Sequence, residues 1–99
     1  MNTDSCEMRT VPDRDAVLAG EAGDFCIETV DNEAGVITYM FCRLPSRGFC
    51  MLPLNRSPGW TWDGIRELPT LQPSVFHDPN SGSKFEWHGF IRNGRMESC

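Results

Sequence analysis

From Phe25 the side chains alternate in character: Phe25, Ile27 and Thr29 fall on one side of an extended chain, and Cys26, Glu28 and Val30 on the other. The polar segment DNEAG follows. In VITYMFC, Ile37, Tyr39 and Phe41 then alternate with Val36, Thr38, Met40 and Cys42. Two β-branched, aromatic runs joined by a Gly-containing turn predict a hairpin. Both sides of the second run are partly apolar, which predicts a central strand covered on two faces. After the turn RLPSRG, FCMLPL predicts a third, shorter strand that Pro53 confines to an edge or ends, because proline has no N–H to give to a ladder. Near the end, EWHGFI and RMESC flank Asn93-Gly94, a pair that supplies the positive φ angles of a tight hairpin turn.

Residues 1–24 lack this alternation. They are rich in Asp, Glu, Arg, Ala and Gly, with one helical turn predicted over Asp13–Ala19 after Pro12. They are expected to form a flexible N-terminal arm, leaving 25–99 as a small β-rich domain. Between the hairpins lies PGWTWDGIRELPTLQPSVFHDPNSGSKFEWHGF, which holds all three tryptophans and both histidines. Pro58, Pro69, Pro73 and Pro79 forbid a continuous helix there and interrupt any ladder. Trp60, Trp62, Leu68, Leu71, Val75 and Phe76 are expected to cap an open side of the sheet. The expected fold is mainly β: a small single-domain antiparallel sheet of hairpins with a long ordered Pro/Trp-rich loop.

Composition narrows the partners. An apolar fraction of 39% predicts a modest core. A formal charge of −5 and a pI near 4.8 oppose direct contact with a phosphate backbone, and favour a protein partner with a basic patch. No run of about 18 apolar residues predicts a membrane span. MNTDSCEMRT lacks the basic-then-apolar order of a secretion signal, so a cytoplasmic protein is expected. Five cysteines, an odd number, are expected to be thiols or metal ligands in a reducing compartment.

The first candidate for chemistry is a metal site. Cys42 and Cys50 flank the RLPSRG turn, and His88 and Cys99 lie on opposite arms of the terminal hairpin; together they would offer the sulfur and nitrogen donors of tetrahedral zinc. No C-x-x-C knuckle supports it, and plain buried thiols are the favoured reading. His77 sits beside Asp78 in a turn-like segment. With His88 and Asp63 or Asp78 it would make a two-His, one-carboxylate iron set, which nothing in the spacing favours. A Cys42 or Cys50 pairing with His88 for nucleophilic catalysis has no flanking motif. No catalytic residue is assigned on this basis. Trp60, Trp62, Arg66 and His77 are a candidate partner-binding set, since Trp and Arg concentrate at interface hot spots; for the tryptophans burial in the core is the favoured reading.

The series Trp60-Thr61-Trp62-Asp63-Gly64, Pro69-Thr70-Leu71-Gln72-Pro73-Ser74-Val75 and Trp87-His88-Gly89-Phe90-Ile91 with Asn93-Gly94 resembles the bacterial and phage domain of unknown function numbered 6527. The similarity covers about Tyr39 to Cys99. It implies a small β-rich domain with a Cys-rich turn, here Cys42 and Cys50, and a histidine, here His88. Phe85 stands where that family has a cysteine, so any zinc site would be lost or completed by Cys99. Phage members are often labelled ammonia monooxygenase, a label without physical support in this chain; bacterial members accompany ubiquitin-like conjugation genes.

The resulting expectation is a non-enzymatic, phage-type protein acting by protein contact, as an inhibitor of a host defence or host enzyme in the host cytoplasm. The alternatives are a virion head or tail accessory protein, with oligomerisation left open, and a small zinc-binding protein or enzyme.

Overall fold

The computed structural model describes residues 5–33, 35–56, 58–77 and 85–99. The chain runs through β1 (Cys6–Glu7), β2 (Arg9–Thr10), α1 (Arg14–Leu18), β3 (Asp24–Asn32), β4 (Gly35–Arg43), β5 (Phe49–Leu54), β6 (Thr61–Trp62), β7 (Leu71–Gln72), β8 (Val75–His77), β9 (Trp87–Arg92) and β10 (Arg95–Ser98). Asp78 and Pro79 lie outside the described residues.

The alternation from Phe25 onward produces the first sheet, in the order β2-β3-β4-β5. β3 and β4 pair antiparallel from Phe25↔Cys42 to Asn32↔Gly35, and β5 continues with Cys42↔Cys50 and Tyr39↔Pro53. β4 is central and Pro53 sits in an edge strand, as the pattern predicts. The terminal hairpin forms with Asn93 at φ 49° and Gly94 at φ 72°. It belongs to a second sheet in the order β1-β10-β9-β8. β6 and β7 make a small antiparallel ribbon beside it. The expected class is therefore realised, with the hairpins divided between sheets.

The core lies between the two sheets. Phe25, Met40, Cys42, Cys50, Leu52 and Leu54 from the first meet Val75, Trp87, Ile91 and Met96 from the second, with Leu71 of the ribbon. Each such side chain stabilises the fold by about 1.5–3 kcal/mol when fully buried. The opposite face of the first sheet carries Cys26 and Phe41, covered by Val17 of α1. That one-and-a-half-turn helix is held at both ends. Asp13 accepts from the Ala16 N–H at 2.9 Å, and Arg43 Nε donates to the Val17 carbonyl at 3.2 Å.

Residues 5–24, expected as a loose arm, are woven into both sheets. β1 pairs antiparallel with β10, and β2 pairs parallel with β3. Each takes up strand-edge N–H and C=O groups that would otherwise face water. Arg9 anchors the second pairing by donating to the buried Asp24 carboxylate from Nε at 3.1 Å and Nη2 at 3.0 Å. Burial alone would raise the Asp24 pKa. The Arg9 hydrogen bonds, the Glu21 backbone N–H and the Arg9 charge outweigh it and hold the carboxyl below its ordinary range.

The expected apolar cap is only partly formed. Leu71 and Val75 are in the core, and Trp60 and Trp62 pack against its edge, but Leu68 is 57% and Phe76 61% exposed. Alternation along β8 decides the second case: Val75 points inward, so Phe76 points out. Leu68 lies against Gly94 of the hairpin turn instead, close enough that a Cβ there would meet Leu68 Cδ2 at 2.7 Å.

Candidate serine–histidine site

The cysteines and histidines do not converge as the zinc expectation requires. Cys42 and Cys50 are cross-strand partners inside the core. The hydrogen bond from Cys42 to Cys50, and then its complete burial, hold the Cys42 thiol protonated, well above the ordinary range. His88 lies on the other sheet and is exposed, as is Cys99, whose backbone N–H donates to the His88 carbonyl at 3.1 Å. Among the described residues no group of three or more His, Cys, Asp or Glu is placed to hold a metal ion. His77 is half-buried on β8, with its ring against Gly48 and a small recess beside Phe85 and Arg47. Phe76 separates it from the His88 register, because neighbouring strand residues face opposite ways.

The histidine on the outer face has a different companion. β8 and β9 pair with Val75↔Gly89, Phe76↔His88 and His77↔Trp87. Ser74, immediately before β8, turns its hydroxyl toward the His88 ring, with Oγ 3.2 Å from Nε2. The edge of the Phe76 ring meets the imidazole, with centroids 5.5 Å apart at 76°. Among the described residues no carboxylate bonds to the His88 ring, and the constellation they form is a dyad.

The surrounding motifs are the mounts of this pair. In Trp87-His88-Gly89 the alternation of β9 sends Trp87 into the core, where its Nε1 donates to Ser98 Oγ at 2.8 Å, and leaves His88 outside. Gly89 is required because a Cβ there would run into the Trp87 ring and the Glu97 carbonyl oxygen. On the other side, Trp60 Nε1 donates to the Ser74 carbonyl at 3.2 Å and fixes the backbone that carries the hydroxyl. Asp63 ties the loop in turn, its Oδ1 accepting from the N–H groups of Ile65 at 3.1 Å and Thr70 at 3.3 Å.

Pro73 gives the site its opening. The β8–β9 ladder ends at Val75↔Gly89, and proline has no N–H with which to extend it. The 70–74 segment then pairs with β6 and returns to the hairpin only where Asn93 N–H donates to Thr70 Oγ1 at 2.9 Å and Gly94 N–H to the Pro69 carbonyl at 3.0 Å. Between these two attachments lies a groove of about 780 Å³, lined by Thr61, Thr70, Gln72, Ser74, Phe90 and Arg92.

Of the candidate contact residues, Trp60 and Trp62 are half-buried. Trp60 thus supports Ser74. Trp62 Nε1 donates to the Ile65 carbonyl at 3.3 Å, and the exposed Arg66 stands 5.6 Å over its ring. Ser74 itself was not singled out from the sequence. The available signal was a serine placed after Pro73 and followed by a strand, with a histidine facing outward on the next strand; an isolated serine carries no such meaning until the pairing register is known.

No curated relative and no solved structure matches the chain. The family model of BubE, described as a bacterial ubiquitination-like system serine protease, matches residues 11–99. This match replaces the resemblance to family 6527 and its monooxygenase-labelled phage members. It likewise overturns the expectations of a non-enzymatic phage inhibitor and a virion component, for the family is one of enzymes in a bacterial system. Among the described residues no helix is long and apolar enough to cross a membrane. The match spans all but the first ten residues and includes the whole Ser74–His88 constellation: the chain belongs to the BubE family of bacterial ubiquitination-like system serine proteases.

Proposed function

We propose that this protein is a serine hydrolase of peptide bonds in which Ser74 is the nucleophile and His88 the general base. The observation that carries the reading is the 3.2 Å contact between Ser74 Oγ and His88 Nε2 on an open face beside a groove. A serine hydroxyl is a weak nucleophile until a base within hydrogen-bond reach takes its proton. With the ring proton on Nδ1, Nε2 accepts that proton as Oγ attacks the substrate carbonyl. The imidazolium then returns it to the leaving amine, and a water molecule activated by the same nitrogen releases the acyl group from Ser74. Phe76 limits the swing of the ring, and Trp60 holds the attacking residue from behind.

The family description supports a protein substrate handled by a ubiquitination-like system, so the partner is a protein whose chain reaches the groove in extended form. The test is covalent labelling with a fluorophosphonate, followed by peptide mapping. A single adduct on Ser74, abolished in Ser74→Ala and weakened in His88→Ala, is expected. An adduct located elsewhere, or peptide hydrolysis that survives Ser74→Ala, would overturn the assignment.

A further inference from the structure

The groove has a chemical bias that the dyad alone does not explain. Its floor is formed by Phe90 and Arg92 of β9, which follow His88 on alternate residues of the outer face while Trp87, Gly89 and Ile91 face the core. Arg92 is exposed, and its guanidinium carbon stands 4.0 Å over the centroid of the Phe90 ring. This cation–π contact holds the group in place and leaves N–H groups available to donate. Among the described residues the ion pairs are Arg9 with Asp24, Arg14 with Glu28 and Arg95 with Glu7. Arg92 has no carboxylate partner among them, although the chain carries a net charge of −5. The groove wall adds the Thr61 and Thr70 hydroxyls and the Gln72 amide, groups that suit the polar backbone of an extended peptide.

We infer that Arg92 is a specificity-determining residue that binds a carboxylate of the substrate peptide, about four residues from the bond cleaved at Ser74. This rests on the hydrolase reading above and names the substrate class of the same site. The spacing follows from β9 itself: four residues separate His88 from Arg92, about 13 Å at a strand rise of ~3.3 Å per residue, and an extended peptide lying along it advances at the same rate. The carboxylate belongs either to an acidic side chain or to the substrate's own C-terminus.

The experiment measures binding, so that it stands apart from catalysis. Fluorescent peptides carrying one Glu, Gln or Lys at successive positions are titrated into the Ser74→Ala protein, and a parallel set ends in a free carboxylate or an amide at each length. Peptides with a carboxylate at the matching position are expected to bind about tenfold more tightly than their Gln or amide counterparts, the strength of a charge-assisted hydrogen bond. Arg92→Glu should remove this preference and shift it toward Lys, and Arg92→Lys should retain part of it. A gain from Glu assigns the side chain as the source, and a gain from the free terminus assigns the C-terminal carboxylate. Equal affinities across the series, or a Glu preference that survives Arg92→Glu, overturns the inference while leaving Ser74 labelling untouched. Loss of Ser74 labelling overturns the hydrolase reading instead.

Discussion

Two side-chain pairs that include a nucleophilic atom meet in this molecule, one within the first sheet and one at the end of a ladder in the second. In the first sheet Cys42 and Cys50 stand opposite one another on β4 and β5, sealed in the core. On the second, Ser74 and His88 meet at the mouth of a groove. Sulfur is intrinsically the better nucleophile, and hydrogen bonds from Cys42 and the Met51 backbone lower the Cys50 pKa against its burial, yet both thiols lie inside the core, out of reach of a substrate. The hydroxyl has a base and access. The difference teaches that reactivity in this fold is set by the strand face and by the end of a ladder rather than by the atom.

The sharpest way to break the comparison is Ser74→Ala. Peptide hydrolysis should fall by at least about 10³-fold, as for other nucleophile deletions, while thermal stability stays at the wild-type value. A loss of folding in parallel would place Ser74 with the structural thiols. Trp60→Phe comes next. It keeps an aromatic ring but deletes the donor to the Ser74 carbonyl, and kcat should drop by about 10- to 100-fold through misplacement of the nucleophile. The stability cost should be only about 1 kcal/mol, read from urea unfolding.

Cys42→Ser sharpens the other half. A hydroxyl buried where a thiol packed should cost about 1–3 kcal/mol in urea unfolding and leave kcat/KM at the wild-type value. A large activity loss at intact stability would mean that the thiol pair takes part in the chemistry. The smallest effect is expected from Asp24→Asn, which removes the partner of Arg9 in the first sheet and touches nothing near the groove. Because the Asp24 carboxyl titrates below its ordinary range in the folded protein, its contribution is fully present above the ordinary carboxylate pKa. It is lost as pH falls through the depressed value. The melting temperatures of wild type and variant should therefore differ modestly near neutrality and converge in acid, with activity of the folded enzyme unchanged at neutral pH.

The regular parts of this architecture were legible before the fold. Alternation in VITYMFC marks β4 as covered on both faces, Pro53 marks β5 as an edge, and Asn93-Gly94 marks the last turn. The division into two sheets was not, because alternation says which side chains share a face and nothing about which face meets which. The N-terminal strands β1 and β2 are two residues each, too short for any periodicity, and form because partner edges exist. His88 is legible as a candidate from its residue type, whereas Ser74, the side chain it meets in the fold, is not. Cys42 and Cys50 are conspicuous for their chemistry, whereas Ser74 acquires meaning only through a register that Pro73 terminates and Trp60 secures. The enzyme class was hidden for the same reason.

The five residues from Cys6 to Thr10 form a crossbar between the two layers. β1 joins the second sheet and β2 the first, with Met8 alone between them, its N–H donating to the Gly94 carbonyl at 2.8 Å. The two layers are thus tied by one short piece of backbone as well as by the core between them. That piece lies ahead of residues 11–99, which carry the family likeness and the reacting pair. The Ser74–His88 pair and the tie between the sheets are thus written in different parts of the chain, so the tie can be altered without touching either member of the pair.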